Sequence, residues 1–112
     1  MTDVSLWASG QFQTDRHTDA QGAVLTLRGE LDLASAPALE HELSEIEATD
    51  PGRMLIDLSG LDFMDCAGLG VLLRAQRNAH AGGRRLELRR GTPQVQRLLV
   101  LTGLADRFVF SD

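Results

Sequence analysis

The sequence predicts a small α/β domain, with three to four helices packed on a mixed, mostly parallel sheet of about four to five strands. Three observations carry that prediction. The chain has 112 residues, 43% of them hydrophobic and 24% charged. That is the size and make-up of one globular domain, able to fold without a metal or disulfide staple. Short apolar runs bounded by glycine or proline alternate with longer stretches whose apolar residues recur at helical spacing. The helical stretches lie between the later strands, so those strands are expected to run parallel with right-handed crossovers.

Each element follows from its residues. Leu6–Phe12 alternates loosely and reads as an edge strand, with Trp7 packing at the sheet edge. Residues 14–22, TDRHTDAQG, are polar, end in glycine and read as a loop. Val24-Leu25-Thr26-Leu27 is a strand closed by Arg28-Gly29-Glu30. Ser35-Ala36-Pro37 opens a helix, with Ser35 as N-cap and Pro37 in the first turn, where a missing N–H costs nothing. Leu39, Leu43 and Ile46 form its buried stripe, and Glu40, Glu42, Glu45 and Glu47 its solvent side. Asp50-Pro51-Gly52 breaks it, and Met54–Leu58 follows as a buried strand, then a turn.

A second helix, from about Ala67 to Ala79, starts at Asp65 as N-cap and turns Leu69, Leu72, Leu73 and Ala79 to the core; Gly82-Gly83 ends it. Leu86 and Leu88 alternate with Glu87 and Arg89 as a further strand. Thr92-Pro93 caps a last helix carrying Val95, Leu98 and Leu99, with Gly103 just past its end. Phe108-Val109-Phe110 is an apolar tail expected to dock on the body of the domain.

Composition narrows the function. Net charge is −5, which argues against a general nucleic-acid binder. The charge is uneven: residues 1–50 carry −8 and residues 51–112 carry +3. Arg84, Arg85, Arg89 and Arg90 form the one basic cluster, and it reads as the solvated flank of a strand rather than a phosphate patch. A single cysteine, Cys66, excludes an internal disulfide framework and fits a reducing compartment. The sequence shows neither a secretory leader nor a membrane span, so a cytoplasmic location is expected. His17, His41 and His80 share no ligand spacing with each other or with Cys66, so neither metal nor cofactor is expected. No serine–histidine–acid grouping suggests an enzyme.

In α/β folds, sites gather where strands end and helices begin. Here those loops are Gly29–Ser35, Ser59–Gly70 and Arg89–Pro93, and the stretch from Asp57 to Gly70 is the most informative. The amides of residues 66–69 lie at a helix start, with the positive end of the helix dipole behind them, and Gly68 and Gly70 add no bulk. A nucleotide-binding loop is the obvious rival. It fails in detail: Gly68-Leu69-Gly70 lacks the third glycine of the dinucleotide motif, and no Gly-Lys-Ser/Thr is present.

Gly29-Glu30-Leu31-Asp32-Leu33-Ala34-Ser35-Ala36-Pro37, then Asp57-Leu58-Ser59, then Met64-Asp65-Cys66-Ala67-Gly68-Leu69-Gly70, resembles the STAS domain, the family of sulfate-transporter domains and anti-sigma factor antagonists. The resemblance runs from about Val24 to Phe110 within one domain spanning residues 1–112, and implies the STAS fold. It also implies an anti-sigma factor antagonist, a module that binds an anti-sigma factor with an ATP-binding kinase fold and frees its sigma factor. In that family the residue after the loop aspartate is usually a serine or threonine phosphorylated by the partner. Cys66 stands there in this chain, the next residue is Ala67, and no hydroxyl residue lies between Gly60 and Gly91. Phosphate would place roughly −1.5 to −2 charge at a docking surface beside Asp65 and Asp32. The resemblance therefore implies a partner-binding site at Asp32, Ser35, Asp65, Cys66, Ala67, Gly68 and Leu69 without the phosphate switch.

Other readings stand beside this one. Asp32 is either the family's acidic contact residue or a loop aspartate satisfying its own backbone, and Asp65 is first a helix N-cap and second a contact. Ser59 reads as a turn hydroxyl. The domain could instead be a soluble STAS subunit of a membrane transport complex, such as a lipid ABC transporter, or a thiol redox sensor through Cys66. A binder of a small nucleotide or phosphate rests on the helix start alone. An edge strand could also pair with a second copy to give a homodimer.

Overall fold

The computed structural model describes residues 12–111. Its sheet has five strands in the order β1-β2-β3-β4-β5. β1 (Phe12–Asp19) and β2 (Gly22–Leu31) are antiparallel, in register from Phe12↔Gly29 to Asp19↔Gly22. The stretch expected as a loop is therefore mostly the first strand. Its polarity reflects position: β1 is an edge strand on which Phe12 alone is buried, so polar side chains cost nothing there. The turn is tight, with Asp19 Oδ1 accepting from the amides of Gln21 (2.8 Å) and Gly22 (3.1 Å). Gly22 is obligatory: its φ is +141°, and a Cβ there would lie 2.3 Å from the Arg53 carbonyl oxygen. The strand expected over Leu6–Phe12, and Trp7 with it, fall outside the described residues except for Phe12.

β2 does not close at Arg28-Gly29-Glu30 but runs on to Leu31. Gly29, at φ +90°, accompanies register shifts against β3 between Thr26 and Arg28 and between Gly29 and Glu30. The glycine bulges the strand instead of ending it. β3 (Arg53–Met64) likewise passes through Ser59-Gly60, where a turn was expected. The two strands pair in parallel as far as Leu31↔Met64. The residues that follow, Asp32 and Asp65, thus begin neighbouring loops.

α1 (Ala36–Ala48) buries Ala36, Leu39, Leu43 and Ile46, the expected stripe with one addition. α2 (Cys66–Ala81) buries Leu69, Leu72 and Ala79 as expected, while Leu73 is partly buried. β4 (Arg85–Arg89) and β5 (Val109–Phe110) extend the sheet in parallel. α3 (Pro93–Leu101) packs along β3; Thr92 caps it, its Oγ1 accepting from Val95 N at 3.4 Å. Phe108 is buried, so the apolar tail docks by joining the sheet. β3 is buried without alternation from Met54 to Leu58 because it lies mid-sheet with both faces covered.

The arginine cluster is held by internal partners. Arg84 reaches Asp50 (3.0 Å), Arg85 reaches Glu87 (2.8 Å), Arg89 reaches Asp57 (3.0 Å), and the Arg90 guanidinium lies 4.6 Å from the Phe110 ring centre. No helix among the described residues is long and apolar enough to cross a membrane.

Candidate functional site

The parallel ends of β2 and β3 lead directly into the site. Asp65 has extended backbone (φ −109°, ψ −174°), and its N–H donates to the Leu31 carbonyl at 3.1 Å, one last rung of the ladder. Its carboxylate then serves two loops. Oδ1 accepts from Gly68 N (3.0 Å), capping α2, and Oδ2 accepts from Leu33 N (3.2 Å) in the loop after β2. The Gly68 backbone sits against β2, since a Cβ there would lie 2.5 Å from Leu31 Cγ and 3.1 Å from the Leu31 carbonyl oxygen. Gly70 is not constrained in this way; its Cβ would meet only Arg74 Nη1, at 3.6 Å.

This arrangement bears on the phosphate-cradle reading. Of the amides at the helix start, that of Gly68 is taken by the Asp65 carboxylate and that of Leu69 by the Asp65 carbonyl at 3.0 Å. A carboxylate already occupies the place where an anion would be held, and it would repel a second one.

In the neighbouring loop, Asp32 Oδ1 accepts from Ala34 N (3.0 Å) and Ser35 N (3.1 Å), so part of its carboxylate satisfies its own turn. Ser35 stands at the N-cap position of α1 but does not cap it. Its backbone is helical (φ −96°, ψ −12°), which turns the hydroxyl away from the first turn. Instead Oγ donates to the Glu30 carbonyl and accepts from Asp32 N, both at 2.9 Å. Asp32 and Ser35 together brace the loop into a fixed shape.

Two groups of expected site residues therefore separate by burial. Cys66 is exposed, and Asp32, Ser35, Asp65 and Ala67 are half-buried, whereas Gly68 and Leu69 are buried and act by shaping the helix start. Sequence reasoning missed two exposed apolar residues beside these in the chain: Leu33, 76% exposed, next to Asp32, and Phe63, 44% exposed, two residues before Asp65. The available signal was a leucine set between Asp32 and Ser35 in an otherwise small and polar turn. The surface around Cys66 thus combines apolar side chains with the carboxylates of Asp32 and Asp65. Such a surface can bind a protein partner.

Comparison with known proteins agrees with this geometry. The family model described as Mlab, STAS domain matches residues 14–110. That match begins ten residues before the expected Val24, on the strand read as a loop. The anti-sigma-F factor antagonist RsfB of Mycobacterium tuberculosis is 44% identical over 50 residues, 45% of this chain and 41% of that protein. The aligned segment is thus less than half of that relative's length. The anti-sigma F factor antagonist of Paenibacillus polymyxa is 30% identical over 95 residues, covering 84% of this chain and 80% of the relative. The crystal structure of an anti-sigma factor antagonist from Mycobacterium paratuberculosis superposes with a TM-score of 0.78 at 28% identity, covering 88% of this chain and 84% of that one. The anti-sigma factor antagonist SpoIIAA in its unphosphorylated form gives a TM-score of 0.71 at 23% identity over 90% and 88% of the two chains, a likeness of fold.

Proposed function

The chain belongs to the STAS domain family, and we propose that within it the protein is an anti-sigma factor antagonist. It acts in the cytoplasm by binding rather than by catalysis. It captures an anti-sigma factor with an ATP-binding kinase fold and so releases the sigma factor held there. The observation that carries this reading is the pair of hydrogen bonds that the Asp65 carboxylate accepts from the Gly68 and Leu33 amides, which braces the Leu33 loop against the helix start at Cys66. The names of the relatives support an anti-sigma factor as the partner.

Cys66 stands where the family places its phosphoacceptor, so binding here is not switched off by phosphate. The supply of the protein sets the extent of capture instead. The test is calorimetry with the purified kinase-fold anti-sigma factors of the source organism, followed by incubation with labelled ATP. One of them binds the wild type and gives up its sigma factor. The wild type takes no label, and Cys66→Ser takes it. Failure of every such factor to bind, with tight binding to a transport ATPase instead, would overturn the reading.

A further inference from the structure

Beside the Asp65 loop, α3 and the end of β3 enclose a half-open recess of about 200 Å³ lined by Phe63, Met64, Gln94, Arg97, Leu98 and Leu101. The α3 residues lie three and four apart, so they form one stripe of that helix. Phe63 and Leu101 are 44% and 76% exposed, which leaves apolar surface in water at the rim while Met64, 5% exposed, forms the floor. Phe63 and Met64 immediately precede Asp65 and Cys66, so the recess continues the surface described above.

Its charge is uncompensated. No acidic residue lines the recess, and among the described residues Arg97 makes no ion pair or hydrogen bond. Among the described residues Arg28, Arg77 and Arg107 likewise make none, whereas Arg16, Arg53, Arg74, Arg84, Arg85 and Arg89 are paired; what sets Arg97 apart is its place on an apolar recess. A guanidinium at the mouth of an apolar pocket selects an apolar side chain with a carboxylate close by. What favours a partner over a second copy of this chain is that the recess continues the proposed docking surface around Cys66. Charge alone does not separate the two: on the acidic face of α1, Glu42 and Glu45 are bound by Arg16 and Glu40 by Arg74, but Glu47 has no such partner among the described residues.

We propose that this recess is a second contact for the same anti-sigma factor, receiving an apolar residue flanked by an acid on the partner's surface. The inference rests on the function proposed above and extends its footprint from the Cys66 loop to α3. Its occupant is one large aliphatic or aromatic side chain, and Arg97 reads the neighbouring carboxylate.

The experiment uses the anti-sigma factor that binds the wild-type chain as the probe in calorimetry. Leu101→Ser and Arg97→Glu each weaken binding about tenfold. Arg97→Ala also reduces the loss of affinity between low and high salt, as removal of an interfacial charge requires. Both positions are exposed, so melting temperatures stay at the wild-type value. Val109→Ser, which removes a 60% exposed apolar side chain elsewhere, leaves affinity unchanged. Wild-type affinity in both recess variants overturns this inference and leaves the proposed function standing. No binding by the wild type overturns both. Equal weakening by Val109→Ser, or self-association of the chain that Leu101→Ser abolishes, assigns the recess to non-specific contact or to a second copy and overturns it as well.

Discussion

The Asp65 carboxylate holds Leu33 from 32 residues away: Oδ2 accepts from the Leu33 amide at 3.2 Å while Oδ1 caps the helix that Asp65 itself begins. One side chain therefore sets both the start of α2 and the position of the loop after β2. Folding and presentation of the proposed docking surface share a single residue.

Replacement of Asp65 separates these two roles. Asp65→Ala removes the cap, at a cost of about 1–2 kcal/mol, and frees the Leu33 loop as well. Asp65→Asn keeps one oxygen able to cap α2, but its amide nitrogen is a donor and cannot accept from Leu33. The expected result is near-normal stability for Asp65→Asn with weakened partner binding. Asp65→Ala loses both. Urea unfolding and calorimetry read the two quantities separately.

The two glycines of the helix start respond in opposite directions. Gly68→Ala drives a Cβ to 2.5 Å from Leu31 Cγ, 2.9 Å from its Cδ2 and 3.1 Å from its carbonyl oxygen. The Leu31 backbone is fixed in the sheet, so the clash costs about 1–3 kcal/mol. Gly70→Ala meets only the far end of Arg74, and gains about 0.5–1 kcal/mol from helix propensity. Denaturation midpoints of the two variants moving the same way would contradict the packing described.

That contrast marks the limit of what the sequence could tell. Both glycines are visible in the chain, and their place at a helix start follows from Asp65. Which one is pressed against β2 depends on Leu31, and nothing local links residues 31 and 68. The same limit explains the misread strands. Gly29 and Gly60 carry turn signals, yet both lie where β2 and β3 bulge against each other; a Cβ on Gly60 would sit 2.7 Å from the Leu27 carbonyl oxygen. β1 was hidden for a different reason. An edge strand has no core face to impose alternation over its length, and its pairing with β2 is a backbone property. Leu39, Leu43 and Ile46 were legible because one helix face meeting one core writes its period directly into the sequence. Asp65 was legible as a cap because capping is local. Its bond to Leu33 was not.

Acid weakens the fold through two buried carboxylates. Hydrogen bonding from Arg53 holds Glu87 below its usual range, against the opposing effect of burial. Burial likewise opposes ionisation of Asp57, but hydrogen bonds from Ser59 and Arg89 outweigh it and hold its pKa low. Both groups bind protons more weakly in the folded state than in the unfolded one. Their stabilisation is therefore complete above the unfolded values of about 3.9 and 4.3, and is lost as pH falls through the lower folded values. Arg53→Ala removes the main partner of Glu87 and costs about 1–3 kcal/mol near neutral pH. It also makes stability fall less steeply below about pH 4. Urea midpoints of wild type and variant across that range supply the check, and parallel curves would exclude the Arg53–Glu87 pair as the cause.

A negative charge at Cys66 should leave folding intact and damage binding. Cys66 is exposed and is the first residue of α2. A carboxylate in that first turn faces the positive end of the helix dipole, worth about 0.3–1 kcal/mol, and Asp65 next to it offsets part of that gain through like-charge repulsion. Cys66→Glu thus melts at or slightly above the wild-type temperature. At the proposed docking surface the same charge must be desolvated beside Asp32 and Asp65, which lowers affinity for the proposed anti-sigma factor partner by about tenfold or more. Cys66→Ser, uncharged and close in size, keeps wild-type affinity until the partner phosphorylates it. A fall in melting temperature for Cys66→Glu would show that the thiol is packed rather than presented, and unchanged affinity would place the docking surface elsewhere on the domain.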